Sequence, residues 1–306
     1  SARSKESAVH DVYAYGVIAP STLIELSDAF PPASGYAEIA GIYPSLGGEA
    51  AGGAHVLARL GVATKLAGNR LGSDEASARV VATLEAAGVD GGAISREDPA
   101  PSVTEVVVAA GDGRTVFGTY RRLLADRAWD APARDDIESS RIVCLDPFFG
   151  DASLQAARWS RDAGIPYVTV DTPPDSEIAR HADVVVISEE FAARTFDSFD
   201  PRDVLAGCTR HCRGLVILTQ GDGPVLFGRR GGEPGTYPPF PVDVRDTTGA
   251  GDAFRAGIIY GMLQGHDDAA LVRTASALAA LVCQRVPGVL DSPTVAELKD
   301  FLADHH

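Results

Sequence analysis

The chain is 306 residues long with 45% apolar content and a formal net charge of −15, from 27 Lys and Arg against 42 Asp and Glu. That length suits one large α/β domain or two modest ones, and the acidic balance argues against a general binder of nucleic acid or anionic membrane, although a locally basic pocket is compatible with it. No apolar run reaches the roughly 18 residues of a membrane span, and Ser1–Glu6 lacks the apolar core of a signal peptide, so a cytoplasmic protein is expected. Cys144, Cys208, Cys212 and Cys283 are too few for a disulfide framework, and the Cys208–Cys212 pair around His211 has no second ligand pair to complete a structural zinc site.

In chain order, Val12–Ile18 reads as a buried first strand running into a loop at Ala19-Pro20. Leu23, Ile24 and Leu26, then Ala37, Ile39 and Ile42, read as short strands of a small separate sheet. Leu46-Gly47-Gly48-Glu49-Ala50-Ala51-Gly52-Gly53-Ala54 then enters a helix with Val56, Leu57 and Leu60 on one face and Gly61 at its end. Four glycines at a loop-to-helix junction admit a ligand close to the backbone, or serve tight helix packing instead. Val62–Ala67 is a strand, and Asp74–Ala87 a helix closed by Gly88. Val103–Ala109 and Thr115–Tyr120 are β-rich runs about a Gly111-Asp112-Gly113 turn, a second patch for the small sheet, with Arg121-Arg122 directly after. Arginine there is either solvated surface charge or a partner for an anionic or hydroxyl-rich ligand.

From Arg141 the pattern becomes regular. Strands are expected at Ile142–Leu145, Pro166–Val170, Asp183–Ile187 and Leu215–Leu218, separated by helices at Ala152–Ala163, Ser188–Thr195 and Arg202–Cys212. Strands apolar throughout and alternating with helices indicate a parallel sheet covered on both faces, with ligands gathered beyond the strands' carboxyl ends. Asp146, Asp171, Ser188, Thr219 and Gly221 fall at those ends. Helices Ala253–Leu263, Asp268–Cys283 and Val295–Ala303 complete the chain.

The stretch Asp246-Thr247-Thr248-Gly249-Ala250-Gly251-Asp252 carries the strongest chemical signal. Glycines flanking an alanine just before a helix let backbone N–H groups converge, and the helix start adds partial positive charge, which together make an anion site. Asp252 puts a carboxylate beside it. The alternative is a capped helix whose first turn carries an acidic residue to complement the dipole. Rival motifs are missing: there is no Walker-type Gly-x-x-x-x-Gly-Lys-Ser/Thr in a chain with only Lys5, Lys65 and Lys299, no Gly-x-Gly-x-x-Gly after the first strand, and no Gly-x-Ser-x-Gly.

Asp246–Gly257 resembles the second signature of the ribokinase-like (PfkB-type) carbohydrate kinases, and Gly47-Gly48-x-x-x-Gly52-Gly53-Ala54 through Leu60-Gly61, with Gly68 and Gly72-x-Asp74, resembles the first. The two lie in the expected order and span effectively the whole chain. The resemblance implies an α/β fold, a three-layer α/β/α arrangement with a mostly parallel doubly wound sheet and a small β-sheet lid. It implies one domain over 1–306, with lid strands at about 21–45 and 102–121. It further implies ATP- and Mg²⁺-dependent phosphorylation of a hydroxyl on a sugar, ketose or sugar acid. Asp252 would be the base, with the N–H groups of Gly249, Ala250 and Gly251 holding the transferring phosphoryl group. Ser188, Thr219, Gly221, Gly223 and Ser276 would line the nucleotide side, and Ser21, Gly47, Gly48, Gly52 and Arg121 the substrate side. Asp246 and Thr248, with carbonyls near Arg285–Gly288, match positions that bind a monovalent cation such as K⁺ in many members.

Three positions depart from the family pattern. Ser21 (or Pro20) stands where many sugar kinases carry Asp, Gly52 where Asn is usual, and Ser188-Glu189-Glu190-Phe191 where Asn-x-x-Glu organises metal-bound phosphates. A less polar pocket would suit the alternative of a nucleoside kinase on the same fold. A non-catalytic sugar- or nucleotide-binding regulator is the reading from a different class, against which the intact Asp252 and Gly249–Gly251 argue. A sheet with exposed edges also admits a homodimer through the lid.

Overall fold

The structure, a computed structural model, describes residues 10–98, 103–111, 113–196 and 200–305. Ser1–Glu6, Asp112 of the expected turn and the first residue of the expected 102–121 segment lie outside them. The strands are β1 Val12–Gly16, β2 Ala19–Leu26, β3 Ile39–Gly47, β4 Thr64–Gly68, β5 Glu105–Ala110, β6 Gly113–Gly118, β7 Ile142–Leu145, β8 Tyr167–Val170, β9 Val184–Ile187, β10 Leu215–Leu218, β11 Val225–Gly228 and β12 Gly235–Tyr237. The helices are α1 Glu49–Arg59, α2 Glu75–Ala87, α3 Tyr120–Asp126, α4 Arg134–Ser139, α5 Asp151–Ala163, α6 Glu177–His181, α7 Glu189–Thr195, α8 Pro201–His211, α9 Ala250–Gln264, α10 Asp268–Cys283 and α11 Val295–Asp304.

Eight strands form one sheet in the order β12-β11-β10-β9-β8-β7-β1-β4. Six of them, from β10 to β4, run parallel, and β11 and β12 add an antiparallel edge. Residues alternate between two cores: Val12, Ala14, Ile142, Cys144, Val184 and Val186 face α1, α9 and α10, while Tyr13, Tyr15, Val143, Leu145, Val185 and Ile187 face α5 and α8. A sheet buried on both faces needs apolar side chains at every position, which is why these strands show no polar alternation. α9 and α10 can approach closely because residue 257 is glycine: a Cβ there would lie 2.5 Å from Ala275 Cα. Among the described residues no helix is long and apolar enough to cross a membrane.

The second sheet has the order β3-β2-β5-β6, with β2 and β5 parallel and both outer pairs antiparallel. Its outer strands expose Ile39, Ile42, Val116 and Phe117. Two expected boundaries are corrected here: Ala19 and Pro20 are not a loop but open β2, opposite Gly47 and Leu46, and Tyr120 is not in a strand, since β6 ends at Gly118 and α3 begins at Tyr120. The Tyr120 ring folds back on Gly118, where a Cβ would meet it at 2.5 Å, so the extended run stops. The sequence pattern also passed over β11, β12, α4 and α6, all of seven residues or fewer and too short for periodicity to register.

Candidate active site

The carboxyl ends of β1, β7, β8, β9 and β10 lie along one edge of the main sheet, and α9 begins beside them. Gly249 is its N-cap with φ 79°, a left-handed conformation that disfavours a side chain, and a Cβ there would also press on Val289 at 2.7 Å. The first i→i−4 bond of the helix is donated by Ala253 N–H to Gly249 O at 2.9 Å. The N–H groups of Gly251 and Asp252 precede that bond and have no partner within the helix. Gly251 is exposed with open space where its Cβ would be. Ala250 differs from the expectation of three converging N–H groups: its N–H is engaged by Thr247 O at 3.2 Å.

Asp252, the third residue of α9, meets the glycine-rich start of α1. A Cβ on Gly52 would stand 2.4 Å from Asp252 Oδ2. The two signatures, about two hundred residues apart in sequence, therefore meet here, where α1 packs against α9. Gly48 is equally constrained, with φ 87° and the Val17 carbonyl 2.3 Å from an added Cβ. Beneath them lies an ion pair: Arg255 Nη1 to Asp146 Oδ1 at 2.6 Å, with side chains 1% and 0% exposed. Asp146 Oδ2 also accepts from Val17 N–H (2.8 Å) and Ala50 N–H (3.1 Å). One carboxylate at the end of β7 thus fixes the loop after β1, the start of α1 and the second turn of α9. Sequence reading placed Asp146 at a strand end but missed Arg255, whose signal is a lone charge in the otherwise apolar stretch Ala253–Met262.

Electrostatics at this point are dominated by carboxylates. Burial, and then the neighbouring Glu49, raise the Asp252 carboxyl well above its ordinary range, with Arg255 opposing. Burial and Asp146 push Glu49 up to about 7. Carboxyls shifted by burial and like charges gather at functional sites, which makes Asp252 a candidate for proton transfer.

On the small-sheet side, Ser21 Oγ donates to Glu105 Oε1 at 2.8 Å. A Cβ on Gly47 would lie 2.8 Å from the same oxygen. The Tyr120 hydroxyl donates to Glu105 Oε2, and burial followed by Glu105 raises its pKa. Arg121, next to Tyr120 on α3, is exposed, and its side chain makes no hydrogen bond or ion pair to another described residue. Arg114, on β6, reaches the signature loop instead, its Nη1 donating to Thr247 O and Oγ1, both at 2.9 Å.

The remaining expected residues form a second group. Ser188 caps α7 by accepting from Phe191 N–H at 3.1 Å, while its N–H and Oγ donate to the Asp171 carboxylate at 2.7 and 2.8 Å. Thr219 N–H donates to Ile187 O at 3.0 Å, which holds β10's end beside Ser188. Gly221, with φ 56°, turns the following loop, and its Cβ would stand 3.6 Å from Glu189. Gly223 N–H closes that turn on Gln220 O at 2.7 Å. Ser276 lies buried on α10 with no partner for its hydroxyl. Asp246 is buried, its Oδ1 accepting from Thr248 N–H at 2.8 Å and its Oδ2 from Gly288 N–H at 3.5 Å, and the Thr248 hydroxyl has no partner.

A family model described as pfkB family carbohydrate kinase matches residues 11–294. The chain belongs to that family. Among relatives of this carbohydrate kinase, the ATP-dependent ribose-1-phosphate kinase of Halopiger xanaduensis is 30% identical, covering 90% of this chain and 93% of that protein. Fructokinase-1 of Zea mays is 28% identical over 90% and 95%. The solved structure of Arabidopsis thaliana ribokinase complexed with ribose and ATP superposes with a TM-score of 0.77 at 21% identity, covering 96% and 99%, a likeness of fold.

Proposed function

We propose that this carbohydrate kinase transfers the γ-phosphoryl group of ATP to a primary hydroxyl of a sugar, with Asp252 taking the hydroxyl proton. The observation that carries the reading is the Asp252 carboxylate at the third residue of α9, beside N–H groups that the helix itself does not use. Phosphoryl transfer asks the protein mainly for positioning and for stabilisation of charge on the transferring oxygens. The open space at Gly251 and the unpartnered Thr248 and Ser276 hydroxyls fit an incoming nucleotide. Mg²⁺ would enter on the ATP phosphates, the usual way this ion is held, with Asp171, bonded to Ser188, and Glu190, whose charge acts on Asp171, as carboxylates of that group.

The buried Asp246 and Thr248 support a monovalent cation such as K⁺ behind the anion loop, testable by exchanging KCl for tetramethylammonium chloride. We read 1–306 as one catalytic unit with the small sheet as its lid, closed over the site by Arg114. The apolar residues exposed on β3 and β6 support pairing of two copies through that lid. An ATP-consuming kinase works where ATP is maintained, which supports a cytoplasmic location.

Halopiger xanaduensis supplies a second reading, since that relative is named for a phosphorylated pentose. The carboxylates around Asp252 weigh against a phosphorylated acceptor. An ADP-release assay across neutral sugars, sugar acids, sugar phosphates and nucleosides separates these readings. Turnover on a neutral sugar is expected, and silence across the panel with ATP still bound would overturn the proposal in favour of a regulator.

A further inference from the structure

Glu105 is a carboxylate that no sequence motif marks. It lies on β5 in register with Ser21 on the parallel neighbour β2. Its two oxygens take one donor each, Ser21 Oγ and the Tyr120 hydroxyl. A carboxylate offers about four acceptor sites, so about two remain for a ligand. The same oxygen that Ser21 touches lies against Gly47, and the Glu105 charge is felt by Asp252. Glu105 therefore borders the glycine-rich junction on one side and the proposed base on the other.

On the kinase reading above, we propose that Glu105 is the carboxylate that holds an acceptor hydroxyl, presented from β5 rather than from position 21 on β2, and that with Glu49 and Asp252 it restricts the acceptor to an uncharged polyol. Ser21 orients this carboxylate in place of supplying one. Arg255, the cation that acts on Asp252, is paired through Nη1 with Asp146 and keeps its Nη2 buried without a partner, while Arg114 donates to the neutral Thr247. Glu49, Glu105, Asp146 and Asp252 outnumber the one buried guanidinium among them, Arg255, so a phosphate or carboxylate on the acceptor would meet a net negative surface, whereas sugar hydroxyls donate readily to Glu49 and Glu105.

The rival reading is that Glu105 only ties β5 to β2 and α3. Calorimetric titration with neutral pentoses and hexoses, their sugar acids and their phosphates, paired with steady-state kinetics, separates the two in the wild type, Glu105→Ala, Glu105→Gln and the double variant Ser21→Asp/Glu105→Ala. Glu105→Ala should weaken sugar binding about tenfold or more and raise the sugar KM in parallel, with the ATP KM within about twofold. Glu105→Gln, which keeps the shape and one acceptor, should fall between. The double variant, with its carboxylate returned to β2, should recover most of the affinity.

Sugar binding by Glu105→Ala within twofold of wild type, an ATP KM rising alongside the sugar KM, or no recovery in the double variant would overturn the role of Glu105. A wild type that binds a sugar acid or phosphate at least as well as the neutral parent would overturn the charge selection. A wild type that binds neutral sugar in a Glu105-dependent way but transfers no phosphoryl group would overturn the kinase reading and leave this inference standing.

Discussion

Gly52→Ala isolates the contact between the two signatures. The added Cβ would lie 2.4 Å from Asp252 Oδ2, 2.9 Å from Cγ and 3.0 Å from Cβ, whereas ordinary contact begins near 3.4 Å. Relief requires the Asp252 carboxylate to move about 1 Å, the difference between 3.4 and 2.4 Å. A misplacement of about 1 Å at a reacting centre costs roughly a hundredfold in rate, or about 2.7 kcal/mol of barrier. Stability changes much less, because overpacking of about 1–3 kcal/mol is offset by the roughly 1 kcal/mol that alanine gains over glycine inside a helix. Gly53→Ala is the internal control: its Cβ would meet only Arg255 Nη2, at 3.8 Å, and the same helix gain applies. Steady-state kinetics and thermal melts on both variants should show kcat falling about a hundredfold in Gly52→Ala and nearly unchanged in Gly53→Ala, with Tm values close to wild type. A Gly52→Ala enzyme with kcat within about threefold of wild type would refute the contact as the constraint on Asp252.

Glu49→Gln removes a charge that raises the Asp252 carboxyl while leaving its burial in place, so the acid limb of kcat/KM should move to lower pH; a limb that stays put would separate Glu49 from the base. The same variant alters stability. Glu49 rises from 4.5 to about 7 on folding, so the native state binds the extra proton and loses up to about 3 kcal/mol as pH climbs through that window. His55, buried and lowered from 6.5 to about 4 by burial and Arg59, acts oppositely: its stability contribution is present above about 6.5 and is lost as pH falls toward about 4. Denaturant melts at pH 5 and 7.5 should therefore show a steeper acid loss in Glu49→Gln and a shallower one in His55→Leu, and parallel profiles would contradict both assignments. Asp146→Asn leaves the Arg255 guanidinium buried without its counter-charge and should cost about 3–5 kcal/mol, read as a lowered denaturation midpoint; an unchanged midpoint would remove the pair from the account of how α9 is held.

What the sequence revealed and what it hid follow from the range of the interactions. The strands from Ile142 to Leu218 were legible because burial on both faces imposes an unbroken apolar pattern, and so were the helices between them except the short α6. The start of α9 at Gly249–Asp252 was legible because glycine, an acidic first-turn residue and an apolar helical run are contiguous. Gly52 looked like a lost asparagine in sequence and is, in three dimensions, the room that the Asp252 carboxylate needs. Ser21 looked like a lost aspartate, and its hydroxyl bonds Glu105, 84 residues away and brought alongside by the parallel pairing of β2 with β5. Arg255–Asp146 spans 109 residues and Arg114–Thr247 spans 133, distances over which local periodicity carries no information. Arg121 is exposed on α3 with no side-chain hydrogen bond or ion pair to another described residue, and Arg114, which no sequence pattern marks, reaches the signature loop.

The central claim is that Asp252 accepts the acceptor's proton during phosphoryl transfer. Its most direct test is transfer of labelled γ-phosphate from ATP to a neutral sugar by wild type and by Asp252→Asn, with ATP binding measured on both. The account predicts labelled sugar from the wild type and a fall of roughly 10²–10⁴-fold or more in Asp252→Asn, with ATP affinity changed little. Turnover of Asp252→Asn close to that of the wild type would contradict it.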